Sequence, residues 1–217
     1  MAQPPVQPSS RRVHRGVVGL VPAAGSATRL GPLPCSKEVL PLPAFGDATA
    51  HDGHTAVRPA IAHLLDCFVE GGVTRAFVVV RDDKWDVPRA LRASGCGVDL
   101  AYVVVGETPS PVHTLARAAP FVRDQVVALG FPDILFAPRH AYGPLLDRLL
   151  SGTADVVLGL FPTEQCDKTD MVELADFSEA TGGGVAVVRD LVIKQPPRGL
   201  RYTWSIACWR PRFTEVL

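Results

Sequence analysis

From residue 17 to residue 161 the chain alternates short β-branched runs with segments of helical periodicity, and this alternation restricts the fold more than any other feature. Val17–Val21 (VVGLV), Ala76–Val80 (AFVVV), Val98–Val105, Val126–Leu129 and Asp155–Phe161 (DVVLGLF) read as strands. Between them, residues 60–69 set Ile61, Leu64, Leu65 and Phe68 at helical spacing, and Gly71-Gly72 ends that helix. Asp86–Ala93, Val112–Val122 and Tyr142–Leu150 read as further helices. Strands and helices alternating in this way predict an α/β domain, a Rossmann-like mostly parallel sheet with helices on both faces. Such sheets bind ligands beyond the carboxyl ends of their strands, here the segments after Val21, Val80, Val105 and Leu129. Past residue 162 the pattern changes. Met171–Leu174, Val185–Val188, Leu191–Ile193 and Tyr202–Trp209 read as strands, with Gly182-Gly183-Gly184 as a turn. This predicts a β-rich C-terminal portion folded against the α/β part, followed by a helix at Phe213–Leu217. Residues 43–56 read as a polar loop, and no internal repeat is visible.

Composition narrows the classes of function. The 217 residues are 47% hydrophobic and 20% charged, enough for one well-packed domain. With 22 basic and 22 acidic residues the formal net charge is zero, which argues against nucleic acid as a partner. Phosphate binding must then come from local groups. No apolar run reaches the ~20 residues of a membrane helix. The opening MAQPPVQPSSRRVHRG lacks the apolar region of a secretory signal and is expected to be a disordered tail over residues 1–15. Its Arg11, Arg12 and Arg15 read as solvated charges or as contacts to an anionic ligand. The five cysteines, Cys35, Cys67, Cys96, Cys166 and Cys208, are scattered and form no C-x-x-C pair. Reduced thiols and a cytoplasmic location follow as expectations, and a zinc site is not expected.

The segment after Val21 carries the chemistry. A strand feeds a loop of small residues, Ala23, Ala24, Gly25, Ser26, Ala27 and Thr28, whose N–H groups can form an anion-binding nest. Arg29 and Lys37 add two positive charges, a combination suited to a triphosphate and its departing pyrophosphate. A turn with two surface cations is the plainer reading of the same residues. The loop is neither G-x-x-x-x-G-K-[ST] nor the dinucleotide fingerprint G-x-G-x-x-G, which disfavours a dehydrogenase.

Pro22-Ala-Ala-Gly-Ser-Ala-Thr-Arg-Leu30 followed by Ser36-Lys-Glu-Val-Leu-Pro-Leu42 resembles the signature of the sugar-1-phosphate nucleotidyltransferases, including the glucose-1-phosphate thymidylyltransferases and uridylyltransferases. The resemblance runs from about residue 17 to the end and is most specific in this first block. It implies a nucleotidyltransferase domain over residues 16–217. That domain would join a nucleoside triphosphate, dTTP or UTP by preference, to a sugar 1-phosphate with Mg²⁺ and release pyrophosphate. Ala23–Arg29 and Lys37 would bind the nucleotide phosphates, with Ala27 standing where the family commonly has glycine. Val126-Val-Ala-Leu-Gly-Phe-Pro-Asp133 resembles the strand whose aspartate binds Mg²⁺, so Asp133 is the metal candidate, and a turn aspartate is its plainer reading.

The later segments resemble the family more loosely. Pro109–Ala116 lies where the family has a Gly-rich turn beside the base, and Val105-Gly106 replaces the base-reading glutamine. His113 there reads either as a ligand contact or as a capping residue. Met171-Val-Glu173 resembles the sugar-binding strand, which makes Glu173 a candidate for holding sugar hydroxyls. Val192-Ile-Lys-Gln-Pro196 resembles the element whose lysine grips the sugar phosphate, which makes Lys194 a catalytic and sugar-binding candidate, although Ile193 replaces the usual glutamate. Trp204 and Trp209 read as sugar-stacking or core residues. The family carries a second metal-binding aspartate on a later strand. No aspartate follows Asp190 here, so the domain is read as C-terminally incomplete, as lacking that ligand, or as not catalytically competent. Two other readings remain open: a non-catalytic nucleotide-sugar-binding or regulatory module, and a cytidylyltransferase for a non-sugar phosphate or phosphonate. A homo-oligomer is compatible with all of them.

Overall fold

A computed structural model of the chain describes residues 13–27, 30–44, 56–165, 168–175, 184–193 and 199–217. In chain order the strands are β1 (Val17–Ala23), β2 (Pro41–Pro43), β3 (Val57–Pro59), β4 (Arg75–Arg81), β5 (Asp99–Val105), β6 (Val126–Gly130), β7 (Val156–Pro162), β8 (Met171–Ala175), β9 (Val187–Val192) and β10 (Tyr202–Trp209). The helices are α1 (Ala60–Glu70), α2 (Asp86–Ser94), α3 (Pro111–Val122), α4 (Tyr142–Ser151) and α5 (Pro211–Thr214), and a 3-10 turn spans Lys37–Val39. The expected tail falls almost wholly outside the described residues, as do 45–55 of the expected polar loop and Gly182-Gly183 of the expected turn.

An eight-stranded sheet runs in the order β5-β4-β1-β6-β10-β8-β9, with β7 on the other edge of β10. β1 lies at the centre, parallel to β4 and to β6, and β4 is parallel to β5. Residues of β1 alternate between two cores. Val17 and Val21 face Ile61, Leu65 and Phe68 of α1, Leu91 of α2 and Leu146 of α4. Val18 and Leu20 face Leu115 and Val122 of α3 and Trp209 of β10. Helices therefore cover both faces, as the alternating pattern predicts. Gly19 lets α1 settle onto the sheet: a Cβ there would come within 2.6 Å of the Phe68 ring. Gly130, at the end of β6, does the same for Tyr142, whose hydroxyl donates to the Leu129 carbonyl at 2.8 Å.

The C-terminal strands extend this same sheet. β10 runs antiparallel to β6 through Ile206–Trp209 and to β8 through Tyr202 and Thr203, with β7 antiparallel along its other edge. β7 therefore leaves the parallel series in which its sequence places it, because β10 separates it from β6. The two short runs expected at Val185–Val188 and Leu191–Ile193 are one strand, β9. Arg189-Asp190 in its middle looks like a turn, but β9 is exposed along most of its length, so polar residues there cost little, and Arg189 pairs with Glu173 of β8. The segments on either side of the expected polar loop pair with each other, β2 and β3 forming a separate antiparallel pair. No helix among the described residues is long and apolar enough to cross a membrane.

Candidate active site

The loops after β1, β4 and β6 meet at the carboxyl ends of the parallel strands. Ala23 and Ala24 are buried, and Gly25 and Ser26 emerge into solvent. Ala27 has φ +54° and is the one non-glycine residue with positive φ among those described. A methyl group in that left-handed conformation costs about 1–2 kcal/mol, so the backbone keeps a shape natural to glycine although the residue is alanine. Thr28 and Arg29 lie outside the described residues, as does Lys194.

Lys37 and Asp133, from segments 96 residues apart, meet in an ion pair of 2.7 Å from Nζ to Oδ2. A Cβ added to Gly25 would stand 4.0 Å from the same Nζ, so the ammonium lies beside the small-residue loop as well. The side chains of Lys37 and Asp133 are 21% and 40% exposed, which leaves both open to a ligand. Among the described residues no cluster of three or more His, Cys, Asp or Glu is arranged to hold a metal. A single exposed carboxylate suits Mg²⁺, which takes one or two carboxylates and completes its shell with phosphates and water.

One buried ion pair and several more exposed polar contacts hold this arrangement together. Lys84, just past β4, donates to both oxygens of Glu38 at 2.9 Å and to the Ala23 carbonyl at 3.0 Å. All three of its N–H groups are thereby used. Glu38 follows Lys37 in sequence and Ala23 opens the loop, so one buried lysine fixes the loop and the Lys37 segment relative to each other. Asp86, in the first turn of α2, accepts from the Ser36 N–H at 2.7 Å and from the Ser36 hydroxyl at 2.8 Å. Arg81, the last residue of β4, donates to Ser26 Oγ at 3.0 Å and grips Asp83 through Nε and Nη2 at 2.7 and 2.6 Å. That contact raises the affinity of Arg81 for its proton and lowers that of Asp83. A cavity of about 590 Å³ opens here, with Ser26, Ala27, Lys37, Arg81 and Arg89 among its walls.

Sequence reasoning singles out Lys37 and Asp133 and misses Glu38, Lys84, Arg81 and Asp86. The available signal was position: Arg81 and Lys84 lie in the segment after Val80 that the strand-end rule marks.

The sugar-side candidates are less gathered. Trp204 packs edge to face on Phe131, ring centroids 5.8 Å apart, and Phe131 begins the loop that carries Asp133. Glu173 is engaged by Arg189 at 3.4 Å, and no described contact joins it to Lys37 or Asp133. Trp209 is a core residue whose Nε1 donates to Thr214 Oγ1 at 2.9 Å. His113 lies in the first turn of α3, whose cap is Ser110: the Ser110 hydroxyl oxygen accepts from the His113 backbone N–H and lies 2.8 Å from its ring Nδ1. A second cavity of about 320 Å³, beyond the end of β5, is lined by Gly106, Glu107 and Thr108. The buried thiols are poor nucleophiles, burial pushing Cys67 up to about 11 and Cys208 higher still.

Comparison of the sequence with protein-family models finds no match, and comparison with curated proteins finds none either. Solved structures do match in fold. A candidate glucose-1-phosphate thymidylyltransferase from Bacillus anthracis, in complex with a sucrose, superposes with a TM-score of 0.74 at 14% identity, over 92% of this chain and 73% of that one. A UDP-glucose pyrophosphorylase complexed with UDP-glucose gives 0.70 at 16% identity, over 92% and 78%. A UTP-bound UGPase from Acinetobacter baumannii gives 0.68 at 17% identity, over 92% and 76%. The chain thus has the α/β fold found in sugar-1-phosphate nucleotidyltransferases. At these identities the likeness establishes the fold, and the activity is argued from the site.

Proposed function

We propose that this protein transfers a nucleotidyl group from a nucleoside triphosphate, UTP or dTTP by preference, to a sugar 1-phosphate. The observation that carries the reading is the meeting of Lys37 and Asp133 at 2.7 Å beside Gly25, on a fold shared with such enzymes. A phosphate oxygen of the sugar 1-phosphate attacks the α-phosphorus of the nucleotide. The new P–O bond forms as the bond to the bridging oxygen of the β-phosphate breaks, and pyrophosphate departs with that electron pair. The attacking phosphate monoester has a second pKa near ~6 and is already ionised at neutral pH, so no general base is required. Positioning and charge neutralisation carry the catalysis.

Lys37 stabilises charge on the α-phosphoryl group. The Ala24–Ala27 backbone receives the nucleotide phosphates, with Arg29 on the departing pyrophosphate. Lys194 and Glu173 hold the sugar phosphate and hydroxyls, and Trp204 lines the sugar side. Asp133 would hold Mg²⁺, whose contribution when bound is to neutralise phosphate charge. Lys37 also supplies a positive charge that balances Asp133.

Incubation with α-labelled UTP or dTTP, glucose 1-phosphate and Mg²⁺ tests the reading. Label is expected in a nucleotide sugar. Label that stays in the triphosphate across a panel of sugar 1-phosphates, with protein that binds nucleotide sugars, would favour a binding module. Transfer from CTP to a non-sugar phosphate would reassign the acceptor.

A further inference from the structure

Arg81, on the wall of the cavity beside the small-residue loop, is given no role by the resemblance. Arg81 ends β4, next to β1 in the parallel register that pairs Ala23 with Val80, so its side chain rises beside the loop that leaves β1. Its guanidinium is held on two sides, by Asp83 through Nε and Nη2 and by Ser26 Oγ through Nη1. A guanidinium has five N–H groups, and these contacts use three, so two remain in a plane already fixed by the protein. Holding the fork in advance removes most of the rotamer entropy that an arginine loses when it grips an anion.

The charges around it favour an anion. Asp83 is committed to Arg81, Asp86 to Ser36, and Glu38 to Lys84. Arg89, on the same wall, has no hydrogen bond or ion pair among the described residues, and Lys37 closes the far side against Asp133. Of these acids Asp83 and Glu38 are paired with cations, and Asp86 keeps its charge while satisfied by the Ser36 N–H and hydroxyl; against them Lys37, Arg81, Lys84 and Arg89 all line the cavity. A polyphosphate matches that pattern: it presents several anionic oxygens in a row, and a planar fork binds two of them at once.

Resting on the transfer reading above, we infer that Arg81 is a further catalytic residue, contacting the β- and γ-phosphates of the bound nucleotide and the pyrophosphate that leaves. Asp83 is its positioning residue. Ser26 links the fork to the loop, so that phosphate binding on the loop and on Arg81 occurs in one fixed geometry.

The test is equilibrium binding of inorganic pyrophosphate, and separately of UMP and dTMP, to the full chain and to Arg81→Gln and Arg81→Lys. A contact to the polyphosphate predicts that Arg81→Gln weakens pyrophosphate binding about 10- to 100-fold, the loss of charge-assisted hydrogen bonds. Monophosphate binding should change less than about 3-fold, because a single α-phosphate does not reach the fork. Arg81→Lys, which keeps the charge and loses the fork, should fall between, and this variant keeps the test valid if the glutamine form is unstable. Parallel losses for pyrophosphate and monophosphate would overturn the proposal by making Arg81 a support of the loop only. Unchanged pyrophosphate affinity in both variants would also overturn it while leaving the transfer reading intact. Absence of pyrophosphate binding to the unaltered chain would overturn both together.

Discussion

Lys84 donates to both carboxylate oxygens of Glu38 at 2.9 Å, in a setting where the Glu38 side chain is 0% exposed and that of Lys84 is 7% exposed. A charge pair this deeply buried contributes little net stability, but it is costly to break from one side. Lys84→Met leaves the Glu38 carboxylate buried without its partner and the Ala23 carbonyl without its donor. It should destabilise the fold by about 3–5 kcal/mol in urea unfolding. Adding Glu38→Leu to Lys84→Met should restore most of that loss. A double variant no more stable than the single one would contradict this account of the pair.

Lys37→Ala and Asp133→Asn test the ion pair from its two ends. Each should lower kcat/KM for nucleotidyl transfer by about 10²–10³-fold, the usual cost of removing one group that stabilises developing charge. Asp133→Asn should in addition raise the Mg²⁺ concentration needed for half-maximal rate, whereas Lys37→Ala should not. Equal Mg²⁺ dependence in the two variants would show that Asp133 does not hold the metal.

Ala27 holds φ +54°, a conformation that glycine adopts without a steric penalty. Ala27→Gly relieves about 1–2 kcal/mol of strain and returns about 0.4–1 kcal/mol of unfolded-state entropy. A net gain of roughly 1 kcal/mol or less is expected in thermal unfolding. Ala27→Val should destabilise, since a β-branched residue tolerates positive φ least. A loss of stability on Ala27→Gly would contradict the strained reading.

His63, on α1, is 4% exposed, and burial lowers its pKa from the ordinary value of 6.5, outweighing the nearby Asp66. Below pH 6.5 the unfolded chain takes up a proton at this residue before the folded chain does. The unfolded state then binds more protons, so stability falls as the pH drops from 6.5 toward the lower folded-state value. Urea midpoints measured from pH 7.5 to 5.5 should show that decline, and His63→Gln should flatten it. The same slope in the variant would place the titration elsewhere.

Much of the fold is legible in the sequence because its central strands are buried on both faces. Runs such as Val17–Val21 and Ala76–Val80 need no alternation to be recognised, and the helices between them carry a clear apolar stripe. The position of β10 is not legible, since nothing within Tyr202–Trp209 says that it will enter between β6 and β7. β2 and β3, three residues each and bounded by proline, are too short to show a period. In the site, Lys37 and Asp133 are reachable from motif and strand-end position. Glu38 and Lys84 are not: each alone reads as a surface charge, and only their meeting across 46 residues makes burial possible. Arg29 and Lys194 lie outside the described residues, so their roles rest on the resemblance.

The most direct test of nucleotidyl transfer is the initial rate of pyrophosphate release with Mg²⁺, taken for dTTP, UTP, CTP, GTP and ATP against glucose 1-phosphate and a small panel of other acceptors. The account predicts release with UTP or dTTP that requires a sugar 1-phosphate and collapses in Lys37→Ala. No release from folded protein with any pair, or release that is indifferent to Lys37, would contradict it.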